Sequence, residues 1–149
     1  MGRSKAFDRE ARHRRGMSLL ELAIVTVIVG ILASMSLPSF QRGLEQSRAD
    51  LAATNLRSVW SAQRLYWLDY RTYAPDLATL ESLGLLDQAV SAQTVYSFDI
   101  TGADDNAFTA TAARAVNARW NGTLSIDETG VVSGFLSAAG LPDIVPSYQ

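Results

Sequence analysis

Residues 17–37 read MSLLELAIVTVIVGILASMSL, a run of apolar and small side chains with a single charge, on Glu21. At 1.5 Å per residue this run forms a helix about 31 Å long, which matches the hydrocarbon thickness of a bilayer. The apolar side chains surround the whole helix and are not confined to one face, which is typical of a membrane segment. The sequence therefore predicts one membrane helix near the N-terminus.

The charges on the two sides of this run differ in sign. Residues 1–16 carry six basic and two acidic side chains, whereas residues 17–149 carry seven basic and thirteen acidic ones. Because cytoplasmic flanks of membrane helices are rich in Lys and Arg, residues 1–16 are expected in the cytoplasm and the body outside it. The acidic body disfavours nucleic acid as a partner of the folded part.

Three processing outcomes are compatible with a basic arm before an apolar run. A secretory signal peptide would be cut near Ser34 and Ser36, which would release a secreted binding module. A signal anchor would stay uncut. In the third outcome only the basic arm is removed, and the new amine of Met17 lies one helical turn from Glu21. Amine and carboxylate could then neutralise each other, within one chain or between chains, which would remove the cost of a charge in the membrane.

A basic pair, Arg14-Arg15, is followed by Gly16, Met17 and, four residues later, Glu21. This pattern resembles the prepilin signature of type IV pilins and their relatives. Gly16 corresponds to the residue before the prepilin-peptidase cut, and Met17 to the first mature residue, which is N-methylated. Glu21 corresponds to the acidic residue at the fifth mature position. Met17 departs from the family, which usually has Phe there.

The end of the apolar run continues the resemblance. Gly30 corresponds to a recurrent glycine in the middle of the segment, and Pro38 to a proline near the end of the membrane helix. Proline removes a backbone donor and clashes with the preceding turn, so a kink is expected at Pro38, with a second weak point at Gly43.

The resemblance implies a structural subunit of a type IV pilus-like surface filament that serves adhesion, motility or DNA uptake, with no enzymatic activity and no cofactor. Residues 1–16 would be a leader peptide that is removed, and residues 17–38 the transmembrane and assembly helix. The implied partners are prepilin peptidase, an inner-membrane assembly platform, and copies of this chain or other pilins, without a small-molecule substrate. Glu21 would meet the Met17 amine of a neighbour and set the register between subunits.

The implied location is a single-pass inner-membrane protein that later enters an extracellular pilus. A pseudopilin of a type II secretion system, in a periplasmic pseudopilus, is the alternative within the family. The calcium-coordinating C-terminal pattern of the major pseudopilins is not evident in this sequence, which favours the pilin.

Residues 39–149 predict an α+β head in which one long helix packs on a small antiparallel sheet of three to four strands, as in pilins. The predicted parts are an amphipathic helix to about residue 70, a connecting loop at 71–93, the sheet at 94–133 and a tail at 134–149. The chain has no cysteine. Burial in a filament, or packing of the tail, must therefore replace a disulfide as the restraint on the C-terminus.

Three further patterns in the head have structural interpretations. The aromatic residues near the end of the long helix are expected to pack against the sheet; they are Trp60, Tyr66, Trp67, Tyr70 and Tyr73. Asp99, Asp104, Asp105 and Asn106 lack the spacing of a calcium loop, so a turn is predicted in preference to a metal site. Asn121-Gly122-Thr123 matches an N-glycosylation sequon, but Asn-Gly is also a common hairpin turn, which is the favoured interpretation.

Overall fold

The computed structural model describes residues 17–114 and 119–147, and leaves out the side chains of residues 35–38. The helices are α1 (Leu19–Tyr70), α2 (Leu77–Ser82) and α3 (Gln88–Ser91), and the strands are β1 (Tyr96–Ala103), β2 (Phe108–Arg114), β3 (Asn121–Asp127), β4 (Val132–Ala138) and β5 (Leu141–Ile144). The chain divides into two compact units within α1, the first ending at Ser39 and the second beginning at Phe40. The second unit is called the head below.

The part of α1 that lies in the head buries one face against the sheet. The fully covered side chains recur every three or four residues and are mostly small: Ala49, Ala52, Ala53, Leu56, Val59 and Ala62. Alanine side chains let the helix axis approach the sheet closely, so the larger side chains of the core come mainly from the strands. The head thus has a hydrophobic core of its own.

The strands form one antiparallel sheet in chain order, β1 to β5. Buried and exposed residues alternate along β1, β2 and β3, because successive side chains point to opposite faces. The largest side chains on the inner face are Tyr96, Phe98, Phe108, Leu124, Ile126 and Leu136. The predicted α+β fold, with one long helix packed on an antiparallel sheet, is confirmed.

The number of strands corrects the prediction of three to four. β4 extends to Ala138, and β5 occupies residues that were predicted as tail. In β5, Ile144 pairs with Leu136 of β4, and Leu141 pairs with Ala138. The short strand contains Pro142, a residue that cannot donate to a ladder and is tolerated at a sheet edge. The prolines of this segment, Pro142 and Pro146, interrupt the run of strand-forming residues, so the sequence predicted a tail here.

The predicted hairpin turn at Asn121-Gly122 is also wrong. Both residues lie in β3, where Gly122 pairs with Leu136 of β4. Gly122 has φ 149°, and a Cβ atom there would lie 2.2 Å from the Phe135 carbonyl oxygen. The glycine therefore serves a close approach of two strands, which a sequence pattern does not distinguish from a turn.

The chain leaves α1 through a reversal held by a buried side chain. Gln63 has no exposed surface, and its amide makes two hydrogen bonds to the backbone of Ala74. Its Oε1 accepts from Ala74 N at 2.8 Å, and its Nε2 donates to Ala74 O at 2.9 Å. Between them, Arg71 adopts φ 59°, in the left-handed region. This arrangement fixes where the helix ends and the connecting segment starts.

Candidate assembly site

α1 begins with a capped turn that carries the single charge of the apolar run. Ser18 Oγ accepts a hydrogen bond from Leu20 N at 3.3 Å, and the Ser18 carbonyl accepts one from Leu22 N at 3.0 Å. Glu21 lies in this first turn, where the positive end of the helix dipole favours a carboxylate. Met17 lies just before the helix and is exposed; Gly16, its predicted cleavage partner, lies outside the described residues.

The apolar side chains of this part of α1 are uncovered. Every residue from 17 to 34 is exposed, and nothing in the most apolar stretch of α1, with a mean hydropathy of 2.3, is buried. By length and composition, α1 is the one helix among the described residues that could cross a membrane. An apolar surface of this extent requires lipid or protein to cover it.

Gly30, Pro38 and Gly43 all lie inside α1, and the helix is unbroken through the three positions. A Cβ atom added at Gly30 or Gly43 would meet no described atom within 4 Å. The side chain of Pro38 lies outside the described part of the chain. The kink at Pro38 and Gly43 therefore stays a prediction.

The first buried residue of α1, among those whose side chains are described, is a charged one. Glu45 is 2% exposed, and its carboxylate accepts hydrogen bonds from two arginines in different parts of the head. Arg114 at the end of β2 donates through Nε to Oε1 at 2.6 Å and through Nη2 to Oε2 at 3.3 Å, and Arg48 donates to Oε2 at 3.1 Å. The paired geometry is the strong form of a charge-assisted hydrogen bond. It ties the start of the helix in the head to the sheet.

The same cluster includes a buried tyrosine. The guanidinium of Arg114 also donates to Val95 O at 2.8 Å and lies over the ring of Tyr96, 5.5 Å from its centroid. Burial, and then the negative charge of Glu45, raise the pKa of the Tyr96 hydroxyl. The sequence contained no signal for this cluster, because Glu45 and Arg114 are separated by 69 positions.

Four of the five aromatic residues near the end of α1 pack within the head, as predicted; the prediction is wrong for Tyr70, which is 54% exposed and stacks on the ring of Tyr66. Trp60 donates through Nε1 to Glu128 O at 3.1 Å, and Trp67 donates to Asp105 O at 3.0 Å. The two indoles thereby hold the turn between β3 and β4 and the turn between β1 and β2. Tyr73 contacts Phe108, with ring centroids 4.9 Å apart. These side chains join helix and sheet.

The acidic residues between β1 and β2 form a turn. Asp104 Oδ1 accepts hydrogen bonds from Asn106 N at 2.7 Å and from Ala107 N at 2.8 Å. These backbone donors lower the pKa of the Asp104 carboxyl. The described residues contain no group of three acidic or histidine side chains that could hold a metal ion. Asn121, the acceptor of the sequon, is exposed at the start of β3.

The C-terminal segment is fastened to α1 by polar contacts. Asp50 accepts hydrogen bonds from Ser147 N at 2.8 Å and from Ser147 Oγ at 3.1 Å, while Gln46 Nε2 donates to Val145 O at 2.9 Å. Packing of the tail was one of the two restraints that the absence of cysteine left open. These bonds supply that restraint within the chain.

The sequence is similar to known proteins of two kinds. Residues 11–37 match the family described as the prokaryotic N-terminal methylation motif. The type IV major pilin protein PilA of Myxococcus xanthus is 37% identical over 60 residues, and the type IV wide pilus major component PilA4 of Thermus thermophilus is 27% identical over 109 residues. These matches support a type IV pilin or prepilin-like family for this chain. The type II secretion system core protein G of Escherichia coli is 34% identical over 70 residues.

The extent of these matches differs. The chain aligns over 40% of its own length with 27% of the Myxococcus pilin, over 73% with 80% of the Thermus component, and over 47% with 48% of the Escherichia coli protein. It thus spans about a quarter of the Myxococcus pilin and about half of the Escherichia coli protein. The related proteins are structural pilins and pseudopilins, not enzymes.

Proposed function

We propose that this chain is a subunit of a type IV pilus-like surface filament and that it assembles through the first half of α1. The supporting observation is the uncovered apolar surface of residues 17–34, which continues directly into a helix that the head covers. Side-by-side packing of such helices would replace lipid contacts by protein contacts, with the heads outside. The filament would serve adhesion, motility or DNA uptake.

Processing would precede assembly. Prepilin peptidase would cut between Gly16 and Met17, and the new amine of Met17 would be methylated. Residues 17–37 would hold the chain in the inner membrane as a single-pass protein, with the head outside, until an inner-membrane platform assembles it. The match of residues 11–37 to a methylation motif supports this order.

Glu21 would set the register of neighbouring subunits. An ionised carboxylate among packed apolar helices is costly unless an opposite charge neutralises it. In a bundle of these helices, the amine of Met17 on one subunit is a suitable partner for Glu21 on the next. Only one stagger of two parallel helices brings these groups together, so the pair would select that stagger.

The intact mass and N-terminal sequence of the protein from its native membrane or sheared surface fraction test the processing step. A chain that starts at Met17, with or without one added methyl group, is the expected result. A start near Leu37 would indicate an ordinary secreted protein, and an uncut Met1 a signal anchor. Both of these results would contradict the proposal.

The role of Glu21 is tested by Glu21→Ala and Glu21→Val. We expect the filament yield to fall to less than about a tenth, because loss of the carboxylate leaves a buried amine unpaired, while membrane insertion is unchanged. Asp143→Ala is the matched control, since Asp143 is an exposed carboxylate in the head. Normal filament yield from both Glu21 variants would exclude the register role.

A pseudopilin of a type II secretion system is the second candidate function. The observation in its favour is the 34% identity to the Escherichia coli core protein G, over about half of each chain. Deletion of the gene distinguishes the two candidates. Loss of surface filaments from intact cells would favour the pilus subunit, whereas a defect in protein secretion without loss of filaments would favour the pseudopilin.

A further inference from the structure

A groove lined by arginines lies where α1 enters the head. It has a volume of about 200 Å³ and runs between α1 and the ends of β2 and β3. Its charged lining consists of Arg48, Arg114 and Arg119 against the single carboxylate of Glu45. The groove therefore carries an excess of positive charge, although residues 17–149 as a whole are acidic.

Two of these arginines have N–H groups that make no hydrogen bond to the described residues. The guanidinium of Arg114 is engaged by Glu45 and Val95 O. Arg48 uses Nη1 for Glu45, and Arg119 uses Nη1 for Gln41. The Nε and Nη2 atoms of Arg48 and Arg119 make no hydrogen bond to any described residue. Two planar guanidinium groups on one groove match the oxygen atoms of a phosphate group.

The groove lies close in sequence to the membrane segment. Gln41 follows Leu37, the last residue of the apolar run, by four positions, a rise of about 6 Å along a helix. Arg119 donates a hydrogen bond to Gln41 at 3.0 Å, which ties its guanidinium to the start of α1 in the head. Leu44, in the lining of the groove, is 45% exposed, and Phe40, next to Gln41 in the sequence, is 71% exposed. Exposed aromatic and apolar side chains next to basic ones are typical of membrane interfaces.

We propose that this groove binds the phosphate group of an anionic membrane lipid, through Arg48 and Arg119, while the chain is anchored before assembly. The inference rests on the membrane anchoring proposed above. A membrane lipid is the favoured source of the phosphate because Gln41, in the lining of the groove, follows the apolar run by four residues in the chain, and because Leu44 adds an exposed apolar side chain to the same lining. Bound lipid holds the head at the membrane surface, and assembly into a filament releases it.

The test uses the full chain in vesicles of equal parts phosphatidylcholine and phosphatidylglycerol. The chain is extracted in mild detergent, and the retained lipids are counted by mass spectrometry. We expect an excess of phosphatidylglycerol over phosphatidylcholine, which falls about tenfold or more in Arg48→Gln/Arg119→Gln, since each basic side chain near a membrane contributes about fivefold. Arg57→Gln/Arg64→Gln removes the same charge about 24 and 35 Å beyond Gln41 on α1 and should retain the excess.

The two double variants distinguish a specific lipid site from general charge attraction. Equal loss of phosphatidylglycerol in both would indicate charge attraction alone and would overturn the site. Release of the lipid by soluble glycerol phosphate, at constant ionic strength, would mean that the groove takes phosphate from solution and would overturn the lipid source. Cooperative thermal unfolding of both variants, with a loss of no more than about 1 kcal/mol, shows that the head is intact. If the wild-type chain fails to associate with the vesicles, the proposed anchoring itself fails; association without a lipid preference overturns only this inference.

Discussion

The two halves of α1 belong to one continuous helix and differ in what covers them. Residues 17–34 are exposed throughout, whereas from Glu45 onward one face of the helix is buried in the head. Each half has a carboxylate near its start. Glu21 is exposed, and Glu45 is enclosed and bonded to Arg48 and Arg114.

This difference shows which interactions the chain completes by itself. The head closes its own core and pairs its own buried charge, so its stability should be a property of one molecule. The first half of α1 leaves its apolar surface and its carboxylate for lipid or other subunits. Changes in the head should therefore alter its thermal unfolding, and changes in the first half should alter assembly alone.

The largest expected effect comes from the pair that Glu45 makes with the sheet. Arg114→Gln leaves the buried carboxylate without its main partner and should lower the free energy of unfolding by about 3–5 kcal/mol. Thermal unfolding of the full chain in detergent, followed by near-UV circular dichroism, measures it. Arg48→Gln removes a partner whose side chain is 41% exposed and should cost less than about 1 kcal/mol. Equal effects of the two variants would contradict the assignment of Arg114 as the main partner.

A matched pair of glycine substitutions tests the comparison directly. Gly122→Ala places a Cβ atom 2.2 Å from the Phe135 carbonyl oxygen and should destabilise the head by about 3 kcal/mol. Gly30→Ala meets no described atom within 4 Å and should leave the unfolding of the head unchanged. Filament yield is the second measurement, since Gly30 lies on the proposed packing surface. A change in head stability on Gly30→Ala would break the proposed separation of the two halves.

A smaller effect is expected where the C-terminal segment meets α1. Asp50→Ala removes the two hydrogen bonds from Ser147 and should lower the free energy of unfolding by about 1–2 kcal/mol. Limited proteolysis should then cut the C-terminus earlier than in the wild type. Asp69→Ala, on an exposed carboxylate of the same helix, is the control. Identical proteolysis of all three proteins would show that these bonds do not restrain the tail.

The smallest effect is confined to alkaline pH. Because the pKa of Tyr96 is raised in the folded head, the unfolded chain loses this proton first as the pH rises above about 10. The contribution of this group is therefore complete below pH 10 or so and decreases above it. Tyr96→Phe should flatten that decrease in pH-dependent unfolding, whereas Tyr70→Phe should retain it. A decrease of the same size in Tyr96→Phe would assign it to other groups.

The candidate membrane helix and the general architecture were predictable from the sequence because their signals are local. The apolar run around Glu21 is recognised from composition and length alone, and its prepilin-like pattern from Gly16, Met17 and Glu21, which lie within six residues. The helical spacing beyond Gly43 and the alternation in the strands predicted a long helix and an antiparallel sheet. Each of these signals arises from neighbours within a few residues.

The details of the head required the folded chain. β5 was hidden because its two paired positions flank Pro142, and an edge strand accepts a proline that a central strand would exclude. The Asn121-Gly122 pair was compatible with a glycosylation sequon or a hairpin turn. The structure instead places both residues in β3, where the close approach of β4 requires a glycine. Both the edge strand and the position of this pair depend on contacts between strands, which the local sequence does not reveal.

The charged contacts also depend on tertiary packing. Nothing in the sequence pairs Glu45 with Arg114, or Asp50 with Ser147, since the partners are 69 and 97 positions apart. Helix and strand patterns repeat over a few residues, but such pairs form only when the sheet has packed on α1 and brought distant segments together. The sequence alone therefore predicted a membrane helix and established the class of fold. The folded chain determined which charges are buried, how the C-terminus is held and where the arginine-lined groove lies.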